Sequence, residues 1–146
     1  MASVSKTVVI NAPVDAVYSF IADHPQRATA FIPGLNRIDN VSSPKAAPGQ
    51  TWDYEFNWFG LVIAGTSRCT KLERPRTYEF QTVTGNRSTW QYLFEPNGTG
   101  TRVTLRVDYD VPQNQLARFA TAAALQSMNE GRADEALKNL KGLVEQ

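Results

Sequence analysis

The chain has 146 residues, 42% of them hydrophobic and 20% charged, with a formal net charge of +1. That mix suits one globular domain around one core and excludes a disordered chain. Lysines and arginines are spread singly, with no basic stripe to neutralise phosphates, so nucleic acid is not expected as a partner; nor does any apolar run approach the roughly 20 residues that span a bilayer.

The N-terminus carries no charged-then-apolar leader pattern, since Val8-Val9-Ile10 is too short for one. The single cysteine, Cys69, excludes an internal disulfide and agrees with a reducing compartment, so a cytoplasmic location is expected. Three glycosylation-like triplets begin at Asn40, Asn86 and Asn97 and read as chance matches in turns. Asn97-Gly98-Thr99-Gly100 fits a hairpin turn, because Asn and Gly tolerate positive φ.

The first predicted element is a β-branched strand over Val4–Ile10. Asn11-Ala12-Pro13 then switches the pattern, with Pro13 suited to the first helical position and Asp15 in the first turn. Val14, Val17, Tyr18 and Ile21 recur at helical spacing, and Asp23-His24-Pro25 ends that helix. A second short helical stretch carries Ala28, Phe31 and Ile32 before Pro33-Gly34 stops it. The Pro/Gly-containing stretch from Ser43 to Gln50 reads as a loop within one domain.

From Asn36 to Val111 the period becomes two. Trp52, Tyr54, Phe56 and Trp58 alternate with Asp53, Glu55 and Asn57. The alternation returns at Trp90, Tyr92 and Phe94, and again at Val103, Leu105, Val107, Tyr109 and Val111. A weaker form runs through Tyr78, Phe80, Thr82 and Thr84. Strands of this kind make an antiparallel sheet with one wet face and one aromatic face. The stretch from about Gln113 to Gln146 reads as helix. Leu116, Phe119, Ala120, Ala123 and Ser127 mark one stripe, and Ala133, Ala136, Leu137, Leu140 and Val144 mark another, rotated from it. The change falls near Gly131, where a kink or break is expected.

The order strand, helices, strands, helix argues for an α+β fold. Only the C-terminal helix is long enough to cover the aromatic face. Its first half is rich in small residues (Ala117, Ala120, Ala122, Ala123 and Ala124), which is compatible with space left unfilled. An apolar pocket between helix and sheet is therefore expected.

The run Val8-Val9-Ile10-Asn11-Ala12-Pro13-Val14-Asp15-Ala16-Val17-Tyr18 resembles the start of small bacterial polyketide cyclase/dehydrase-like proteins of the START/birch-pollen-allergen-like superfamily. Asp23, Pro33-Gly34, Pro48-Gly49, Arg74-Pro75-Arg76 and the closing Leu137-Lys138-Asn139-Leu140-Lys141 fall where that family has comparable features. The resemblance covers nearly the whole chain. It implies the helix-grip fold: a curved antiparallel sheet of about seven strands wrapped around a long C-terminal helix, with two short helices after the first strand. Members bind or transport lipids, quinones, hormones or polyketides, and some catalyse aromatisation, cyclisation or dehydration. The glycine-rich loop of the pollen-allergen branch is not evident. The family has no universal catalytic motif, so no catalytic residue is carried over.

Among candidate chemical groups, His24 is the only histidine and sits at a predicted helix end, where a surface or capping role is the plainer reading. His24 and Cys69 are too far apart in sequence to suggest a metal or Cys–His site, and no metal or cofactor is expected. Asp53 with Glu55, and Asp108 with Asp110, lie opposite the apolar residues and read as a solvated face. Thr66, Arg68, Thr82, Thr84 and Tyr92 are the polar residues expected to border the cavity, although the register from Leu61 to Leu72 also allows Arg68 to face solvent. The expected lining comprises Phe31, Trp52, Tyr54, Phe56, Trp58, Arg68, Phe80, Thr82, Trp90, Tyr92, Phe94 and Met128.

Trp58-Phe59-Gly60-Leu61-Val62 is an unusually apolar hairpin tip, readable as a lid, a dimer contact or a membrane-touching edge, and equally as ordinary packing onto the neighbouring helix. The leading expectation is a binder of a small hydrophobic or aromatic molecule (lipid, quinone or polyketide-like). The alternatives are a cyclase/dehydratase acting in the same cavity, with Arg68, Tyr92 or Thr82 steering protons, and an interaction module using the tip. A homodimer is compatible with that tip.

Overall fold

The computed structural model describes residues 2–119 and 121–146, apart from the side chain of Leu116. Seven antiparallel strands form one sheet: β1 (Ala2–Ile10), β2 (Leu35–Asp39), β3 (Thr51–Trp58), β4 (Leu61–Glu73), β5 (Thr77–Thr82), β6 (Ser88–Asn97) and β7 (Gly100–Tyr109). Their spatial order is β1-β7-β6-β5-β4-β3-β2, so β2 to β7 form a meander and β1 closes onto β7. The sheet curls into a half-barrel around the C-terminal helix, which is the helix-grip arrangement.

Alternation decides what the concave face carries. Trp52, Tyr54 and Trp58 of β3 are buried, as are Tyr92 and Phe94 of β6 and Val103, Leu105 and Tyr109 of β7. Asp53 and Glu55 point outward. Asp53 accepts hydrogen bonds from Asn40 (2.8 Å) and Thr66 (2.9 Å), which hold its carboxyl below the usual range. Asp108 pairs with Arg106 on the same outer face. Asn97 pairs with Gly100 across the hairpin turn expected there.

Helix α1 (Val14–Ala22) starts one residue later than expected, with Pro13 as the extended residue before it. It buries Val17, Tyr18, Ile21 and Ala22, and the Tyr18 hydroxyl donates to the Thr77 carbonyl (2.7 Å). A 3₁₀ turn, Pro25–Ala30, follows, with the exposed His24 at its start, and delivers buried Phe31 and Ile32.

The C-terminal segment departs from expectation. It is a short helix α2 (Gln113–Leu116) and a separate long helix α3 (Ala122–Val144). Gly131 lies inside α3 and faces open space, so it costs propensity without breaking the helix. The break comes before Thr121, whose side chain accepts the Ala124 N–H (3.0 Å) and starts α3. From there one stripe runs through Leu125, Asn129, Ala133, Ala136 and Leu140. The second expected stripe is the buried one; of the first, Phe119 lies between the two helices, while Ala123 and Ser127 lie on α3 and are exposed. The Leu116 side chain and Ala120, placed on the first stripe, lie outside the described residues.

Helix α3 bridges the two edges of the half-barrel. On the β1 side Gln126 donates to the Ser3 carbonyl (2.8 Å) and Lys141 to that of Val9 (2.9 Å). On the β2 side Asn139 donates to the Phe31 carbonyl (3.3 Å), just ahead of β2. Gln126 also accepts from the Tyr109 hydroxyl (3.1 Å), and Asn129 donates to that hydroxyl (2.8 Å) while accepting from the Trp58 indole (2.8 Å). This chain of bonds fixes α3 at a set height above β3 and β7. No helix among the described residues is long and apolar enough to cross a membrane.

Candidate functional site: an aromatic cavity between sheet and helix

The concave face is filled at one end only. Tyr18 packs on Phe94 with ring centroids 4.9 Å apart, and Ile10, Val17, Val103, Leu137 and Leu140 complete a solid core there. Towards the other end a cavity of about 180 Å³ remains. Its floor is a run of rings. Trp90 stacks on Phe80 (5.7 Å, 11° between planes), Phe80 meets Trp52 edge-on (5.2 Å), and Tyr78 stacks on Tyr92 (6.1 Å). Tyr54, Phe56 and Trp58 form the β3 wall, Phe31 and Ile32 close one side, and Ala133 and Ala136 of α3 form the roof.

Few polar groups reach this space. Tyr54 donates to the Thr84 carbonyl (2.8 Å) and is spent on holding the β5–β6 loop. That contact requires Gly85: a Cβ there would stand 2.4 Å from the Tyr54 oxygen, and its φ of +82° favours glycine as well. Tyr78, Tyr92 and Ser67 differ. Each is about 2% exposed and lines the cavity, and none of their hydroxyls has a hydrogen-bond partner among the described residues. Burial pushes the Tyr78 and Tyr92 hydroxyls well above the usual tyrosine range, so both stay protonated donors. No carboxylate, imidazole or amine lines the cavity among the described residues; the one cation is Arg132.

The mouth is framed by the β3–β4 hairpin. Phe59 and Gly60 form a two-residue turn with φ of +51° and +94°, braced by the Asn57 side chain accepting the Gly60 N–H (2.7 Å). Phe59 meets Phe119 edge-on (5.8 Å), and the Arg132 guanidinium lies over the Phe59 ring at 4.5 Å. Gln115 donates to the Trp58 carbonyl (2.7 Å). The tip is thus packed on α2 and α3, leaving Val62 as its broadly exposed apolar side chain (58%).

Of the residues expected at the cavity, Phe31, Trp52, Tyr54, Phe56, Trp58, Phe80, Trp90 and Tyr92 line it. Four do not. Arg68 points to solvent, because Ile63, Ser67 and Cys69 of β4 take the inner positions. Thr82 spends its hydroxyl on the Asn86 carbonyl (2.6 Å) and Ser88 (2.8 Å). Phe94 is sealed in the solid core, 1% exposed, beneath Tyr18. Met128 is 44% exposed, about 100° around α3 from the inward Asn129. Thr66 faces outward onto Asp53, and the Thr84 hydroxyl oxygen accepts from the Thr66 N–H (2.8 Å). The alanines of the 122–124 run do not roof the cavity; Ala122 and Ala123 border a separate shallow groove with Ala2 and Val111. Tyr78, Ser67, Asn129 and Arg132 escape the sequence reading. Extending the α3 stripe backwards from Leu140 in steps of three and four finds the last two.

A family model described as polyketide cyclase / dehydrase and lipid transport matches residues 1–145. No curated protein sequence is detectably similar to the chain. Solved structures share the fold at low identity. A START superfamily protein from Mycobacterium smegmatis is 14% identical, with a TM-score of 0.79 over 98% of this chain and 97% of that one. The Zhui aromatase/cyclase from Streptomyces sp. R1128 is 18% identical, with a TM-score of 0.73 over 99% and 93%. The Thermus thermophilus protein TTHA0849 is 19% identical, with a TM-score of 0.77 over 98% and 97%. With its family model matched almost end to end, and a half-barrel closed over a hollow aromatic face, the chain belongs to the polyketide cyclase / dehydrase and lipid transport family.

Proposed function

We propose that the chain binds a small aromatic molecule of one or two rings in the cavity. The ring would lie among Trp52, Phe80 and Trp90, and an acceptor on it would take hydrogen bonds from Tyr78, Tyr92 or Ser67. The observation that carries this reading is the pair of tyrosine hydroxyls, on Tyr78 and Tyr92, that border the cavity with no hydrogen-bond partner among the described residues. Both hydroxyls keep contact with the cavity, so a bound acceptor can reach them. Size supports a small ligand. A cavity of about 150 Å³ accommodates benzene, whereas drug-sized molecules take about 300–1,000 Å³. At about 180 Å³ the enclosed space suits one or two rings and not a long folded chain.

A second reading, cyclase or dehydratase chemistry, draws on the family and the same two hydroxyls. Protonated Tyr78 and Tyr92 are suited to stabilising an enolate oxygen. That reading needs a base, and no described lining residue supplies one, so binding is favoured.

Calorimetric titration with 2-naphthol and naphthalene tests the proposal. The wild type should prefer 2-naphthol by about tenfold, and Tyr78→Phe/Tyr92→Phe together should remove most of that preference. Absence of binding by either ring, or an unchanged preference in the double variant, would defeat it.

A further inference from the structure

Arg132 is the least expected group at the cavity. It rises from α3 one turn after Asn129, and its guanidinium carbon sits 4.5 Å from the centre of the Phe59 ring. On its far side it reaches the Pro33-Gly34 turn, where Nη1 lies 3.5 Å from the place a Gly34 Cβ would occupy. It therefore stands across the mouth, between the hairpin tip and the segment leading into β2.

Its place sets it apart from the other arginines, since it alone of them lines the cavity among the described residues. Arg37, Arg74 and Arg106 each face an aspartate. Arg132 has no carboxylate within 4.0 Å and no hydrogen bond among the described residues, and Asp134, two positions along α3, is engaged by Lys6 (3.4 Å). The Phe59 ring attracts the charge but offers the guanidinium no conventional hydrogen-bond acceptor. The guanidinium's five N–H donors lie in its plane and remain free, in a fork that matches a carboxylate. The apolar lining strengthens any charge met there.

We infer that the ligand is an aromatic acid whose carboxylate, or an equivalent planar oxyanion, lies at the mouth against Arg132. This rests on the aromatic-ligand reading above and deepens it. The two ends of the cavity then do different work: hydroxyl donors read the buried end of the ring, and a charged fork reads the end nearest solvent. An acid also retains partial hydration at the mouth, which lowers the cost of bringing a charge to an apolar site.

The test uses two ring-matched probes at pH 7, 2-naphthoic acid and its methyl ester, titrated calorimetrically into the wild type, Arg132→Gln, Arg132→Lys and Lys138→Gln. Lys138 is an exposed cation of α3 away from the cavity, so its variant reports on general surface charge. The wild type and Lys138→Gln should bind the acid about tenfold more tightly than the ester. Arg132→Gln should bring that ratio to about one, and Arg132→Lys, which keeps the charge without the flat fork, should retain part of it. Equal affinity for both probes in the wild type, or an undiminished ratio in Arg132→Gln, overturns the inference while leaving the aromatic-ligand reading standing. Binding of neither probe by the wild type overturns that reading, and the inference with it.

Discussion

The two ends of strand β6 carry the same kind of residue in opposite surroundings. Phe94 is sealed under Tyr18 of α1, and Trp90, on the same face four residues earlier, borders open space. Both are aromatic and both obey the same alternation. What differs is the layer above. At the Phe94 end α1 and the last turns of α3 converge on the sheet, while at the Trp90 end α3 alone passes over, presenting Ala133 and Ala136. The hollow thus arises from what covers the sheet and not from the sheet itself.

The strongest way to break this comparison is to truncate each ring. Phe94→Ala should lower unfolding stability by about 3–5 kcal/mol, the cost of a cavity in close-packed surroundings. Trp90→Ala should cost less than half as much, because its inner side has few atoms to lose. Equal shifts in denaturant midpoint for the two variants would erase the distinction.

The bridge above the hollow end comes next. Asn129→Leu would leave the Trp58 indole and the Tyr109 hydroxyl each short of a partner, for an expected loss of about 2 kcal/mol in the same assay. No loss would mean that packing, and not this relay, holds α3 at its height.

At the solid end, Arg74 donates to Asp23 and holds its carboxyl below the usual carboxylate range. Folding therefore releases a proton from this group between its folded and ordinary pKa. The stabilisation is complete above the ordinary value and fades as pH falls through the folded one. Both partners are partly exposed, so Asp23→Asn should cost no more than about 1 kcal/mol at pH 7 and should flatten the acid limb of the stability curve. An acid limb as steep as the wild type's would remove Asp23 from that role.

The smallest effect separates the two regions most sharply. Tyr92→Phe should change the stability of the ligand-free chain by less than about 0.5 kcal/mol, because its hydroxyl has no partner to lose among the described residues. A loss above about 1 kcal/mol in thermal or chemical unfolding would mean that the hydroxyl serves the fold and not a ligand.

Much of this arrangement is legible in the sequence because strong alternation leaves little freedom. Trp52 to Trp58 can place four rings on one face only by being a strand, and the acids between them are thereby sent outside. Strand β4 is opaque for the opposite reason. Ala64, Gly65, Thr66, Ser67 and Cys69 are small on both faces, so nothing in size or polarity fixes which side Arg68 takes, and a register shift between Cys69 and Lys71 disturbs the count further. The helical segment misleads because Gly131 is a weak local penalty, whereas the actual boundary depends on one hydroxyl, Thr121, capping a backbone N–H. Arg132 stays hidden since a charged residue on a helix reads as solvated unless the buried stripe is already known.

The bridging helix has a further consequence, for association between molecules. A curled sheet that stops short of a closed barrel retains two unpaired margins, each able to recruit a strand from another copy. On the β1 margin, α3 lies along the strand and engages the Ser3 and Val9 carbonyls. The β2 margin is only five residues long, shifts register between Leu35 and Arg37, and carries the Arg37–Asp39 pair. The same helix that roofs the hollow thus guards one border of the sheet, while brevity, irregularity and charge discourage strand addition at the other. The molecule can keep an open half-barrel without offering its rims as a template for aggregation.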